Sequence, residues 1–186
     1  MPFTPYHFGP TGFLALCFRR WIDVPVFVLA NVVIDVEVLF APIGFKHTHW
    51  HFHTFLGGAV LGAAWGLLAF GIKPLRRFFE KVMAFLRIPY KASLVKMAIS
   101  GVLGVWAHTI IDGVYHYDVQ AFWPNTKLLI WRMSRGLFPK MGFDARKDRI
   151  EDICLVFFIM AIIPYTVAVI SFMRKKKEDR LECKHE

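Results

Sequence analysis

One stretch of the sequence indicates the fold class most clearly. It is Leu94-Val-Lys-Met-Ala-Ile-Ser-Gly-Val-Leu-Gly-Val-Trp-Ala-His108-Thr-Ile-Ile-Asp112-Gly-Val114. It matches the roughly 20 apolar residues that a transmembrane helix needs. It also holds an imidazole and a carboxylate four residues apart, which places both on one face of a helix. Ionisable groups in membrane-length apolar stretches are costly, so they are functional candidates. The stretch predicts a transmembrane helix with polar chemistry near its end.

Three further segments have the length and composition of membrane spans, and another is about half as long. They are Val24–Phe40, Thr54–Ile72 and Ile153–Met173, with Phe8–Phe18 as the short one. The 186 residues are 56% hydrophobic, and their mean hydropathy is +0.44, which is too apolar for an ordinary soluble domain. We therefore expect an all-α, multi-pass membrane protein with about four to five transmembrane helices.

The sequence predicts a single membrane-embedded helical domain over residues 1–186. We expect the polar motifs in residues 1–124, an amphipathic segment on the membrane surface over 125–150, the last span over 151–173 and a basic tail over 174–186. No cleavable signal peptide is evident, and the three cysteines form no metal knuckle or disulfide framework. The stripe Gly58-x-x-x-Gly62-x-x-x-Gly66 favours close helix packing, within the chain or in a homo-oligomer.

Basic residues cluster in three places between or after the apolar segments, and this gives a predicted topology. If these places are cytoplasmic, the C-terminus is cytoplasmic and the spans alternate consistently across a cell (inner) membrane. The clusters are Arg19 and Arg20; then Lys73, Arg76, Arg77, Lys81, Arg87, Lys91 and Lys96; then Arg174, Lys175, Lys176, Lys177, Arg180 and Lys184. We expect lipid headgroups as their partners and no nucleic acid, because the net charge of +9 comes without a nucleic-acid-binding motif.

Histidines and carboxylates recur at the ends of the apolar segments, and the predicted topology places them all on the outer face. Imidazole and carboxylate are ligands that first-row metal ions prefer. The candidate metal ligands are His7, Asp35, Glu37, His49, His53, His108, Asp112 and His116. So many ligands predict one or two divalent transition-metal ions, zinc first and manganese or iron next. Asp35 and Glu37 are also the candidate catalytic carboxylates, with Glu37 as general base or bridging ligand.

These motifs carry a resemblance to a known family. They resemble the motifs of the YdjM-like membrane-bound metal-dependent hydrolases. The matching stretches are Met1-Pro-Phe-Thr-Pro-Tyr-His7-Phe-Gly-Pro10, Asp35-x-Glu37, His49-x-x-x-His53-Thr-Phe, and Ala107-His108-x-x-x-Asp112 followed by Phe122-Trp123-Pro124. The resemblance covers roughly residues 1–124. Trp50 stands where that family usually has arginine, and Ala107 where it usually has serine. The ligand order is also faintly similar to that of zinc-dependent phospholipase C, an all-helical fold, which implies a lipid phosphoester as substrate.

Two functional classes remain open from the sequence. The first is a membrane-bound metal-dependent hydrolase that acts on a lipid-borne or membrane-proximal phosphoester or ester. The second is a non-enzymatic metal-binding membrane protein, such as a transporter, a sensor or an assembly factor. A transporter would place its ligands near the middle of the membrane, whereas these lie toward one face, which favours chemistry at the interface.

Overall fold

In a computed structural model, residues 5–36, 51–137 and 141–182 are described, and in these ranges the chain is helical with no strand. The expected all-α class is therefore confirmed. The helices are α1 (Phe8–Cys17), α2 (Val24–Val33), α3 (Phe55–Gly71), α4 (Lys73–Phe85), α5 (Leu94–Tyr115), α6 (Ile130–Met133), α7 (Phe143–Met160) and α8 (Ile162–Glu182). Short 3-10 turns precede α1 and α3, over Pro5–His7 and His51–His53, and another covers residues 34–36 after α2.

Two helices are long and apolar enough to cross a membrane. They are Leu94–Tyr115, with 22 residues, and the nearly continuous helix Ala145–Arg174, with 30 residues. A third crossing is available if α3 and α4, which meet at a bend of 87°, form one broken span. Each of the five predicted segments is helical at least in part, but α1 and α2 have 10 residues each. The predicted count of four to five spans stays a prediction.

The centre of the fold is the antiparallel pair α3 and α5, which pack through glycine. A Cβ on Gly62 would lie 2.5 Å from the Gly101 carbonyl oxygen, and one on Gly58 would lie 2.7 Å from Val105 Cγ1. Gly66 meets the backbone of Met97 in the same way. The small-residue stripe is thus used inside this chain, where it brings two backbones into contact.

Helix α2 packs on the other side of α5, at another glycine. A Cβ on Gly104 would lie 2.5 Å from the Phe27 carbonyl oxygen and 2.6 Å from Ala30 Cβ. The indole nitrogen of Trp65 donates to the Val26 carbonyl oxygen (3.0 Å), which ties α3 to α2. The buried side chains Ala30, Ile34 and Val105 form a core between these helices. Because α2 and α5 both end beside the start of α3, the three helices bring their termini together.

Helix α1 lies against α7, and α7 with α8 exposes a long apolar surface. Gly9 contacts the backbone of Cys154, and the Tyr115 hydroxyl donates to Glu151 (2.7 Å), which links α5 to α7. The exposed apolar side chains of α7 and α8 include Leu155, Val156, Phe158, Ile159, Ile162 and Ile163, which are 52–67% exposed. A contiguous apolar surface of this kind is unfavourable in water and suited to lipid.

Candidate metal centre

Five ionisable side chains meet at one end of the helical bundle. His7 and His53 are the last residues of the 3-10 turns that lead into α1 and α3. Asp35 lies in the turn that follows α2, and His108 and Asp112 occupy the last two turns of α5. Two helices therefore begin at this cluster and two end there. The chain contributes to the site at four separate places, all of them at helix termini.

Helix packing explains why these residues meet. The register that opposes Gly66 to Met97, Gly62 to Gly101 and Gly58 to Val105 advances one turn on each helix at every step. Extended by about one more turn, it brings the residues before α3 beside His108 and Asp112. Thr54 holds this end of α3 in place, because its hydroxyl accepts from Gly57 N (2.9 Å) and donates to the His51 carbonyl oxygen (2.8 Å).

Asp112 is the centre of the cluster. Its Oδ1 lies 3.0 Å from His7 Nε2, and its Oδ2 lies 3.0 Å from His108 Nε2 and 3.5 Å from His53 Nε2. Asp35 Oδ1 lies 3.6 Å from both His53 Nε2 and His108 Nε2. All three imidazoles thus turn the same ring atom, Nε2, toward carboxylate oxygen.

These separations are compatible with a shared cation as well as with hydrogen bonding. The contacts of 3.5 Å and 3.6 Å, made by His53 and Asp35, are too long for good hydrogen bonds. Ligand atoms bound at about 2.1 Å to one ion lie roughly 3.0–3.4 Å apart. Two overlapping groups, His7–His108–Asp112 and Asp35–His53–His108, each keep their ligand atoms within 4.8 Å of one another. Either group could hold a metal ion, and His108 belongs to both.

The charge of the cluster is also compatible with a bound cation. The side chains of His7, His53, His108 and Asp112 are only 1–6% exposed, so water screens their charges little. With neutral imidazoles, Asp35 and Asp112 would leave two negative charges in a largely buried cluster. Buried charge is costly unless it is compensated. One divalent cation would bring the total to zero, and protonation of two imidazoles is the alternative.

A small polar network supports the cluster. Thr11 Oγ1 donates to the His7 carbonyl oxygen (2.6 Å), and Asn31 Nδ2 donates to Thr11 Oγ1 (3.0 Å) and to the Val28 carbonyl oxygen (2.7 Å). This chain of hydrogen bonds fixes the turn that carries His7 against α2. The sequence signals were a threonine four residues after His7 and an asparagine four residues before Asp35, but the link between them required the fold.

Stacking orients the central imidazole. The rings of His7 and His108 stack with centroids 4.4 Å apart at 12°, and His53 meets His108 edge-on at 5.5 Å. His108 Nδ1 is buried and has no hydrogen-bond partner within the described ranges of the chain. Ring packing, rather than a carboxylate or carbonyl behind the ring, therefore sets the direction of His108 Nε2.

Asp35 is the accessible edge of the cluster. Its side chain is 19% exposed, whereas those of His53 and Asp112 are 1% and 5% exposed. Catalytic metal sites keep one position open to water or substrate, and structural sites are closed. Among the five side chains of the cluster, Asp35 is the most exposed to solvent.

The predicted ligand His116 is in neither of these groups. It follows the last residue of α5, adopts an extended backbone (φ −111°, ψ 135°) and lies edge-on to Tyr115, with ring centroids 4.6 Å apart. His116 thus does not continue the face of α5 that carries His108 and Asp112, because the helix ends before it. The predicted ligands Glu37 and His49 lie outside the described residues.

Comparisons with known proteins add no identification: no family model matches the chain, and neither the curated proteins nor the solved structures give a match. The geometry of the cluster and the apolar helices therefore carry the functional argument.

Proposed function

We propose that this protein is a membrane-bound metal-dependent hydrolase that acts on a phosphoester or ester of an amphiphile. The observation that carries the proposal is the convergence of His7, Asp35, His53, His108 and Asp112, with nitrogen-to-oxygen contacts of 3.0–3.6 Å. The resemblance of the motifs to membrane-bound metal-dependent hydrolases supports the same assignment.

The donor set fits a divalent transition metal. Three imidazole nitrogens with carboxylate oxygens suit zinc first, and manganese or iron next. His7, His108 and Asp112 would hold one ion, and Asp35 with His53 would complete its shell or contribute to a second site. The single Nε2 of His108 would serve only one of the two ions. A divalent ion supplies such a reaction with a Lewis acid for the ester oxygen and with acidified water.

The carboxylates of the protein would position the imidazoles and transfer protons. Asp112 touches all three imidazoles, so it positions them. Asp35 combines contact with the cluster and exposure to solvent, which suits a carboxylate that takes up or passes on a proton. Glu37, two residues further on, is the candidate general base, and it lies outside the described residues.

The place of the cluster suggests the kind of substrate. Its members lie at or near the ends of apolar helices. If these helices cross a membrane, their ends should lie at the level where headgroups meet hydrocarbon. An amphiphile in the bilayer would present a phosphate or carboxylate ester at that depth. Ligands at one face also argue against a transporter, whose binding site is expected near the midplane. We propose that this face is the outer one, with the C-terminus in the cytoplasm.

The test is hydrolysis by purified protein in mixed micelles. Metal-loaded protein is incubated with phospholipids and isoprenoid phosphates, and released phosphate or acid is measured with and without a chelator. We expect metal-dependent cleavage, loss of both metal and activity in His108→Ala/Asp112→Ala, and wild-type behaviour in Asp148→Asn, where the carboxylate is exposed on α7. Glu37→Gln should lower turnover while the protein keeps most of its metal. If metal-loaded protein cleaves no amphiphile but carries metal into vesicles, the transporter assignment replaces this one.

A further inference from the structure

A second polar region lies at the opposite end of the bundle. Lys96 is in the first turn of α5, twelve residues before His108, which corresponds to about 18 Å along the helix. Arg19 likewise lies twelve residues after His7, just beyond α1. This region is therefore separate from the candidate metal centre.

The region contains a cavity of about 630 Å³ lined by five basic side chains. They come from four places in the chain: the turn after α1, the loop before α5, the start of α5, and α8. They are Arg19, Arg20, Lys91, Lys96 and Lys176. No carboxylate lines the cavity in the part of the chain that the structure describes. A concave site with one sign of charge concentrates counter-ions.

Hydrogen bonds between different helices fix the wall of the cavity. Lys96 Nζ donates to the Arg19 carbonyl oxygen (2.8 Å), which joins α5 to the turn after α1. Behind this wall Asp23 is fully buried, and its backbone N–H donates to Ser100 Oγ (2.7 Å). Burial raises the pKa of Asp23, and burial beside Asp23 raises the pKa of Tyr90, which lines the cavity. Asp23 lies behind the wall and is not one of the residues that line the cavity.

Three of the basic residues form no ion pair with a carboxylate whose side chain the structure describes. They are Arg20, Lys91 and Lys176. Trp21, next to Arg20, is 70% exposed. Exposed tryptophan beside basic residues is typical of the level of lipid headgroups.

We propose that this cavity binds the phosphate group of an anionic lipid headgroup, or the same group as a free anion. Basic pockets between helices at a membrane surface hold acidic headgroups by charge, and arginine offers a fork that matches phosphate oxygens. The site does not depend on metal chemistry at the other end of the bundle. It would anchor the turn after α1 and the end of α8 to the lipid surface.

The test compares two triple variants by native mass spectrometry from micelles that contain phosphatidylglycerol. Arg20→Gln/Lys91→Gln/Lys176→Gln removes three of the five cations that line the cavity. Lys73→Gln/Arg77→Gln/Lys81→Gln removes the same charge from exposed positions of α4. Each basic residue near an anionic headgroup contributes roughly fivefold, so the cavity variant should retain the lipid about a hundredfold less than wild type. The α4 variant should lose clearly less lipid than the cavity variant, because its cations meet headgroups as dispersed surface charge and not within one concave site.

Two further measurements separate the sources of phosphate and guard against misfolding. If inorganic phosphate displaces phosphatidylglycerol from the wild type, the phosphate group itself is recognised and a free anion can fill the site. If it does not, while the cavity variant still loses the lipid, the intact headgroup is the ligand. Circular dichroism checks the helical content, and Lys91→Gln alone, in an exposed loop, should still weaken retention by about fivefold. Equal losses in the two triple variants, or undiminished retention in the cavity variant, would overturn the proposal.

Discussion

Replacement of Asp112 by asparagine is the sharpest test of the metal centre, because Asp112 touches all three imidazoles. Its oxygens lie 3.0 Å from His7 Nε2 and from His108 Nε2. Asp112→Asn keeps the shape of the side chain but removes the charge and one acceptor oxygen. The variant places a neutral amide where a charged ligand would meet the cation. Metal affinity should therefore fall by at least roughly 100-fold, the upper end of what loss of an outer-shell partner costs, or about 2.8 kcal/mol.

The assay is thermal unfolding of the detergent-solubilised protein, with and without a chelator, alongside competition for zinc with a chromophoric chelator. Metal at 100 times its Kd stabilises the folded state by about 2.7 kcal/mol. For a chain of this length that corresponds to a rise in Tm of about 5–11 °C. We expect wild type and Asp148→Asn to lose this increment when the chelator is added, and Asp112→Asn to show almost no response.

Two outcomes would refute the reasoning. The first is a wild-type Tm that does not respond to the chelator, together with no metal in the purified protein. In that case protonated imidazoles, and not a cation, would neutralise Asp35 and Asp112. The second is an Asp112→Asn variant that binds zinc as tightly as wild type, which would show that the carboxylate is not a ligand.

Three other predictions concern packing, capping and orientation. Gly62→Ala should destabilise the protein by about 1–3 kcal/mol because its Cβ would meet the Gly101 carbonyl oxygen, whereas Gly71→Ala, with open space around it, should be neutral or slightly stabilising in the same unfolding assay. Asp23→Ala should cost about 1 kcal/mol through loss of the N-cap bond to Val26 N, and Asp23→Asn should cost less, because asparagine caps equally well without a buried charge. A reporter fused after Glu186 should read as cytoplasmic, and an extracellular signal would invert the proposed topology.

Much of the fold follows from the sequence by hydrophobic length and spacing. Each apolar segment forms a helix, and residues four apart, such as His108 and Asp112, face the same way because an α-helix repeats every 3.6 residues. The glycine stripe predicted a close helix contact, but its partner could not be read from the stripe. Only the fold shows that the facing surface is α5, with its own glycine at Gly101.

The sequence did not reveal where helices bend or end. The basic residues from Lys73 to Lys81, predicted only to lie between two apolar segments, are in α4, which buries Phe79 and Met83 and turns by 87° from α3. The apolar residues of α4 follow helical spacing, but the density of basic residues obscured that pattern. The last span, predicted to begin at Ile153, belongs to a helix that starts at Phe143. The candidate ligand His116 lies outside α5, because local backbone geometry, and not periodicity, ends this helix at Tyr115.

The position of the cluster at helix termini has a thermodynamic consequence. His7, Asp35 and His53 lie in turns beside helices, so their mutual distances depend on how α1, α2 and α3 pack against α5. A metal ion that binds the assembled cluster must stabilise the packing of these helices. A change that disturbs the packing must in turn lower the affinity for the metal, by the same coupling free energy. Gly62→Ala should therefore lower metal affinity although it lies about two turns into α3, while Gly71→Ala, at the far end of the same helix, should leave the affinity unchanged. If Gly62→Ala lowers the stability of the protein but leaves its metal affinity unchanged, the prediction is wrong. The cluster would then form independently of the packing between α3 and α5.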